Sequence, residues 1–392
     1  MISFKDFSRF QFFLFFVFLF PAAPANSDNA EILTPPAPLV AAISYILLDF
    51  NTGKVLAENN ADAKVAPASL TKIMTVYVVF RELGNGHLHL EDNATISKKA
   101  WQTTGSRMFI EVNNQVKVGD LLKGVIIQSG NDASVALAEH VAGNELTFAD
   151  MMNQHAKRLG MTNSHFLNAD GLPNPDHYTT ARDLAILTRA LIKEFPDYYR
   201  WFSEKEFTFN KITQQNRNKL LWRDATVDGV KTGFTDDAGY CLVASALRDN
   251  MRLISVVMGT KSVNARANEN QNLLNYGFRF FETHRLYQGK TSLSETRIWK
   301  GDSKNLQLGL AEDLFVTIPR RHYNDLKAVI TIDKNITAPV REGQKLGSVN
   351  VALKDEVLAN QDLIALKTVD KGSLFQRLYD EALLVVDKQN GK

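Results

Sequence analysis

Three short motifs in a fixed order constrain this chain more than any other feature: Ser69-Leu70-Thr71-Lys72, then Ser129-Gly130-Asn131, then Lys231-Thr232-Gly233. A serine hydroxyl is a poor nucleophile near neutral pH and needs a base within hydrogen-bond reach. A lysine three residues later on a helix lies on the same face as the serine, so Ser69 and Lys72 meet that requirement if the segment is helical. Together the three motifs describe one catalytic pocket, built from a helix start, a turn and a strand.

The motifs differ in what each says alone. A Ser-x-x-Lys match arises about once by chance in a chain of this length, and its bland reading is an exposed helix turn. Ser-x-Asn is weaker, since Ser27-Asp28-Asn29, Ser262-Val263-Asn264, Ser303-Lys304-Asn305 and Ser348-Val349-Asn350 also satisfy it. Context selects Ser129. It follows the apolar segment Leu121 to Ile127 and precedes Asp132-Ala133-Ser134-Val135-Ala136-Leu137, so it reads as a tight glycine-containing turn between two packed helices. Lys-Thr-Gly occurs once, where Val227-Asp228-Gly229-Val230 enters a strand.

With 392 residues, 45% hydrophobic and 22% charged, the chain is long enough for two or three domains. A net charge of +2 argues against a nucleic-acid binder, which would carry a basic stripe. Lys5 and Arg9, the phenylalanine-rich stretch Phe10 to Phe20 and the small residues Ala22-Ala23-Pro24-Ala25 read as a secretory signal peptide over 1–25, too short for a comfortable membrane span. The mature protein is therefore expected to be exported. Cys241 is the only cysteine, so no intramolecular disulfide is available, and its setting in Gly239-Tyr240-Cys241-Leu242-Val243 suits a small buried hydrophobe. The eight histidines lack ligand spacing and read as solvated or core residues, so no metal site is expected.

Along the chain, Ala41 to Asp49 and Lys54 to Glu58 flank Asn51-Thr52-Gly53 as a hairpin. The helix starting at Ser69 is apolar on nearly every side and stops at Gly84-Asn85-Gly86, which predicts a buried central helix. Further helices are expected over Val118 to Gln128, Asp132 to Val141, Phe148 to Leu159 and Ala181 to Lys193, with a turn-rich loop from Phe166 to Pro173. Val227 to Phe234, Gly239 to Leu247 and Met251 to Met258 read as an antiparallel meander, followed by a long helix from Val263 to about Glu282. From Gln288 to Lys367, short alternating segments such as Leu314 to Ile318, Lys327 to Ile332 and Leu363 to Leu366 predict a small all-β domain. At the C-terminus, Leu374, Phe375, Leu378, Tyr379, Ala382, Leu383 and Val386 recur with helical spacing opposite Gln376, Arg377, Asp380, Glu381, Asp387 and Lys388. Such an amphipathic helix either lies in a membrane interface, the reading preferred here, or docks on its own domain.

The ordered motifs behind a signal peptide resemble those of the low-molecular-mass penicillin-binding proteins, the serine-type D-alanyl-D-alanine carboxypeptidases. The resemblance continues through Asn216-Arg217-Asn218-Lys219-Leu220-Leu221-Trp222, Asn264-Ala265-Arg266 and Gly277-Phe278-Arg279-Phe280-Phe281 and covers essentially the whole mature chain. It implies an α+β fold: a penicillin-binding-protein/β-lactamase-like transpeptidase domain, an antiparallel sheet with a helical cluster, over 37–287. A β-rich domain over 288–370 and an amphipathic helix over 371–392, a membrane anchor, would follow. It also implies removal of the terminal D-alanine from the pentapeptide stem of peptidoglycan, acylation by β-lactams, and no metal or other cofactor. Ser69 would be the nucleophile and Lys72 its base, with Ser129 and Asn131 relaying the proton and orienting Lys72 and substrate. Lys231 and Thr232 would supply positive potential and a hydrogen bond, next to Gly233. Arg217 and Arg266 would recognise the substrate carboxylate, and the backbone N–H groups of Ser69 and Phe234 would hold the oxyanion. The expected location is periplasmic, at the outer face of the inner membrane. Relatives often carry histidine after Lys-Thr-Gly, whereas this chain has Phe234.

Rival readings remain open. A class A β-lactamase needs a glutamate-activated water for deacylation, and no such glutamate is assignable. A peptidoglycan D,D-endopeptidase is nearer. A catalytically weak envelope-binding module would not need Ser69, Lys72, Ser129, Lys231 and both arginines intact.

Overall fold

The computed structural model describes residues 34–390, so the expected signal peptide over 1–25 lies outside the described residues. Alternating apolar positions make the central sheet two-faced. Its antiparallel strands run in the order Val55–Asn59, Ser44–Asp49, Met251–Thr260, Gly239–Arg248, Val227–Thr235. Successive side chains in a strand point to opposite faces. Thus Ile46, Val243 and Val256 join one core, while Leu47, Leu242 and Val257 join another.

The first core is shared with the helical cluster and the second with helix Val263–Phe280, through Leu273, Leu274 and Phe278. Helix Thr71–Gly84 runs through the middle of the first, with Ile73, Met74, Tyr77, Val78, Val79 and Phe80 fully buried. Each such side chain contributes on the order of 2 kcal/mol of transfer free energy. The chain preceding and entering this helix is consequently held in one place. Helices Asn131–Ala142, Glu145–Leu159 and Ala181–Glu194 surround it, close to the expected limits. The expected helix from Val118 is α-helical over Val118–Lys123 and widens to a π turn over Gly124–Gln128.

The helix expected to reach about Glu282 stops at Phe280. Phe281–Tyr287 is a strand paired with Leu314–Pro319. No glycine or proline marks that change, and Phe280-Phe281 suits either continuation. The division placed at 287/288 falls at the end of this strand. Beyond it, a five-stranded antiparallel sheet runs in the order Ser294–Arg297, Asn305–Gly309, Glu356–Ala365, Lys345–Leu353, Leu326–Ile332, around its own core of Leu308, Val316, Val349, Val351 and Leu363. A polar seam joins this β-rich part to the first sheet. The Thr317 hydroxyl lies 2.8 Å from that of Thr52 and 3.0 Å from that of Thr283, which in turn donates to buried Asp49 at 2.7 Å.

The C-terminal helix Leu374–Asn390 turns its acidic side to the β-rich part. Asp380 accepts from the backbone N–H of Lys300 at 2.6 Å and from Arg297 at 3.3 Å, and Glu381 meets Lys300. Leu374, Phe375, Leu378 and Tyr379 face solvent. Among the described residues no helix is long and apolar enough to cross a membrane.

Candidate active site

Ser69 sits in a 3-10 turn, Ala68–Leu70, that feeds directly into helix Thr71–Gly84. In a 3-10 turn residues i and i+3 eclipse, which stacks Ser69 over Lys72, and the Lys72 Nζ–Ser69 Oγ distance is 3.1 Å. The turn is entered through buried Ala68 at φ 48°, a left-handed conformation that a residue with a Cβ holds only when its surroundings enforce it.

Two glycines let backbone close around this turn. A Cβ on Gly171, at φ +83°, would lie 1.9 Å from the Ala68 carbonyl oxygen. A Cβ on Gly233 would lie 3.1 Å from the Pro67 carbonyl oxygen and 3.3 Å from Ala68. The loop behind Ser69 and the Lys-Thr-Gly strand in front of it both depend on this closeness.

Lys72 is fully buried beneath Ser69. Its Nζ also reaches Asn131 Oδ1 at 2.7 Å and the Asp170 carbonyl oxygen at 2.5 Å. Burial pushes its pKa down to about 8; the carboxylates of Asp170 and Asp132 oppose that push and the Arg217 charge assists it. Lys231, also buried, donates to Ser129 Oγ at 2.8 Å and to the Thr232 carbonyl at 3.1 Å. Its pKa is held well below the usual lysine range, first by burial and then by the charges of Lys72, Arg217 and Arg266.

Ser129 takes φ 69°, ψ 34°, the left-handed residue that ends the π turn before helix Asn131–Ala142. Asn131 is fixed from the other side, its Nδ2 donating to the Thr104 carbonyl at 2.6 Å. The loop carrying Thr104 is pinned by Asp132, whose carboxylate accepts from the backbone N–H groups of Met108 at 2.8 Å and Phe109 at 2.9 Å.

All the residues singled out in the sequence come together. Ser69, Ser129, Asn131, Arg217, Thr232, Gly233, Phe234 and Arg266 line one cavity of about 500 Å³, with Lys72 bonded to Ser69 and Lys231 to Ser129. Arg266, on helix Val263–Phe280, donates to the Gly233 carbonyl at 2.9 Å, and burial lowers its pKa to about 10. Arg217 faces the same cavity, and burial lowers its pKa as well. Phe234 stands half-exposed at the rim, stacked on Tyr240 with ring centroids 4.2 Å apart. Cys241 lies behind the strand, buried, with its thiol pushed up to about 11 by desolvation.

Sequence reasoning passed over Asp170, which supplies a carbonyl to Lys72 and a nearly buried carboxylate whose pKa desolvation raises. The Asn168-Ala169-Asp170-Gly171-Leu172-Pro173 turn was visible, but nothing in it points at Lys72. The loop is tied to the helix by Thr75, which donates to the Ala169 carbonyl at 2.6 Å, and by Thr71, whose hydroxyl lies 2.9 Å from His177 Nε2. His177 is buried and its pKa falls to about 4, so it stays neutral.

A family model described as D-alanyl-D-alanine carboxypeptidase matches residues 31–262, and one described as penicillin-binding protein 5, C-terminal domain, matches residues 281–371. The chain is 47% identical over 356 residues to the D-alanyl-D-alanine carboxypeptidase DacC of Escherichia coli, covering 89% of each. It superposes on penicillin binding protein 5 from Haemophilus influenzae with a TM-score of 0.81 at 44% identity, over 86% of this chain and all of that one. Penicillin-binding protein D2 from Listeria monocytogenes, solved in its ampicillin-bound form, matches with a TM-score of 0.58 at 30% identity, over 62% of this chain and 100% of that one.

Proposed function

The chain belongs to the D-alanyl-D-alanine carboxypeptidase family, and from that premise we propose that Ser69 is the nucleophile that releases the terminal D-alanine of peptidoglycan pentapeptide stems. The observation that carries this reading is the contact of Ser69 with the buried Lys72 at 3.1 Å, with the lysine pKa lowered to about 8. An amine that is partly neutral near physiological pH takes the hydroxyl proton as Oγ attacks the carbonyl of the penultimate D-alanine. The developing oxyanion is held by the backbone N–H groups of Ser69 and Phe234. The peptide C–N bond then breaks. The leaving amine takes that proton from Lys72 through Ser129, whose Oγ accepts from Lys231, and Lys72 is neutral again. The resulting ester on Ser69 is hydrolysed by water, with Lys72 again taking the proton.

Arg217 and Arg266 meet the free carboxylate of the leaving residue, a task suited to planar guanidinium groups. Thr232 adds a hydroxyl, and Asn131 holds Lys72 in register. β-Lactams acylate the same serine because their strained amide occupies the place of the scissile bond. Phe234 brings no imidazole to the rim, so deacylation here relies on the Lys72–Ser129–Lys231 set.

The protein acts outside the cytoplasm. The outward-facing Leu374, Phe375, Leu378 and Tyr379 support attachment of the C-terminal helix to the outer face of the inner membrane. The catalytic part over 37–287 and the β-rich part over 288–370 would then stand on that helix over 371–392. D-alanine release by the purified protein, set against the Ser69→Ala variant, tests the nucleophile assignment.

A further inference from the structure

The five-stranded sheet of the β-rich part ends on one side in a strand whose outer edge is bare. Leu326–Ile332 is paired only with Lys345–Leu353, and Lys327, Ala328, Val329, Ile330 and Thr331 are all exposed, Val329 by 58% and Ile330 by 36%. An unpaired edge offers a row of N–H and C=O groups to any other strand, and folds blunt such edges with short strands, charges, proline or bulges. The opposite edge of this sheet, Ser294–Arg297, follows that rule: it is four residues long and carries Glu295 and Arg297. Leu326–Ile332 does not. It is seven residues long, holds no proline, runs without a bulge against its neighbour and has Lys327 as its one charge. Val329, Ile330, Thr331 and Ile332 are all β-branched, the residue type best suited to pairing.

The phase of the backbone says which groups are free. The N–H of Asp333 donates to the Leu346 carbonyl at 2.9 Å, and a Cβ on Gly347 would lie 2.1 Å from the Thr331 carbonyl oxygen, so residues 331 and 333 turn their backbone to the neighbouring strand. Antiparallel ladders alternate between hydrogen-bonded and non-hydrogen-bonded pairs. Lys327 and Val329 therefore bond inward as well, and Ala328, Ile330 and Ile332 aim N–H and C=O at the free edge.

We propose that this edge is an interface for a second copy of the chain, the two strands pairing antiparallel about a two-fold axis at Ile330 so that the two sheets become one. Outward-facing residues must meet outward-facing residues across the axis, which leaves two registers centred on the strand. With the axis at Ile330, Ala328 pairs with Ile332 of the other copy, and Lys327 stands opposite Asp333 on both sides. With the axis at Val329, Asp325 stands opposite Asp333 on both sides. Opposite charges directly across a ladder stabilise it and like charges destabilise it, so the first register is selected. Lys327 and Asp333 then fall in a non-hydrogen-bonded pair, where side chains approach most closely. Among the described residues neither has an ion pair within the chain, and Lys345, whose charge Asp333 also feels, is held by Asp362 at 2.6 Å. The same register sets Val329 against Thr331 and covers the exposed Ile330 with its own copy. One pair of strands buries less than a standard protein interface, so the dimer is a weak, reversible one. The pairing does not depend on the reaction assigned to Ser69.

Sedimentation of the full mature chain from about 1 µM to about 300 µM should show a reversible monomer–dimer equilibrium. Lys327→Asp places carboxylates opposite each other at both charged pairs, and Asp333→Lys places amines there, so each variant alone should raise the dissociation constant about ten-fold or more. An equimolar mixture of the two variants should dimerise again, because every charge in the mixed pair then meets its opposite, and the Lys327→Asp, Asp333→Lys double variant should do the same. Ile330→Cys, on the axis, should form a disulfide-linked dimer on mild oxidation, while the buried Cys241 of the unaltered chain forms none. A wild-type chain that stays monomeric over the whole range overturns the interface. Self-association that neither charge reversal weakens also overturns it, placing the contact elsewhere, such as the apolar side of the C-terminal helix. A mixture of the two reversals that associates no better than either alone overturns the register.

Discussion

A primary ammonium removed from water is costly, and Lys72 meets that cost partly through its oxygen partners and partly by lowering its affinity for the proton. With a pKa of about 8, the neutral fraction rises as pH increases through that value. Because the neutral amine is the form that accepts the Ser69 proton, the acylation rate should climb about ten-fold per pH unit below pH 8 and level off above it. Rapid-mixing acylation with a chromogenic penicillin between pH 6 and 9 measures this, and a flat profile would contradict the role given to Lys72. At this scale much of the site was legible, because side chains that do chemistry announce themselves by type and spacing. Burial is the main cause of the lowered pKa at both lysines, with the Arg217 charge adding to it at each and the Lys72 charge adding at Lys231. Asp170 stayed hidden because its main contribution is a backbone carbonyl, which every residue possesses.

Elements place those residues by approaching closely. The Phe166-to-Pro173 loop can press on the Ser69 turn only because Gly171 has no Cβ, and its φ of +83° is one that L side chains rarely adopt. Gly171→Ala should therefore destabilise the fold by on the order of 2 kcal/mol or more and withdraw the Asp170 carbonyl from Lys72. A calorimetric midpoint lowered by several degrees, together with slower acylation, is the expected outcome; an unshifted midpoint would show that the loop does not bear on the turn. The long periodic elements, such as helix Thr71–Gly84 and the three meander strands, were readable from their apolar spacing. The hairpin of Glu206–Phe209 with Ile212–Gln215 was not. Its turn is Asn210-Lys211, both at positive φ, without the glycine that normally signals such a turn.

At the scale of the whole molecule, a catalytic part and a β-rich part are joined by hydroxyls and a carboxylate, Thr52, Thr283, Thr317 and Asp49, that lie far apart in the chain and carry no motif. The sequence showed that the last helix is amphipathic but not which side it turns outward. Asp380, held by Arg297 and Lys300, commits the acidic side inward and leaves the apolar side free. Truncation after Lys371 should move the protein from the membrane pellet to the soluble fraction while D-alanine release in solution stays within about two-fold. Unchanged pelleting would remove the helix as the attachment.

In the proposed reaction a hydroxyl at position 69, activated by the buried amine of Lys72, performs the hydrolysis. D-alanine released from a soluble pentapeptide is to be measured for the wild-type protein and for Ser69→Ala. Steady release by the first and a loss of at least about 10³-fold in the second are expected, with both proteins equally folded. Release by a folded Ser69→Ala protein at anything near the wild-type rate would contradict it.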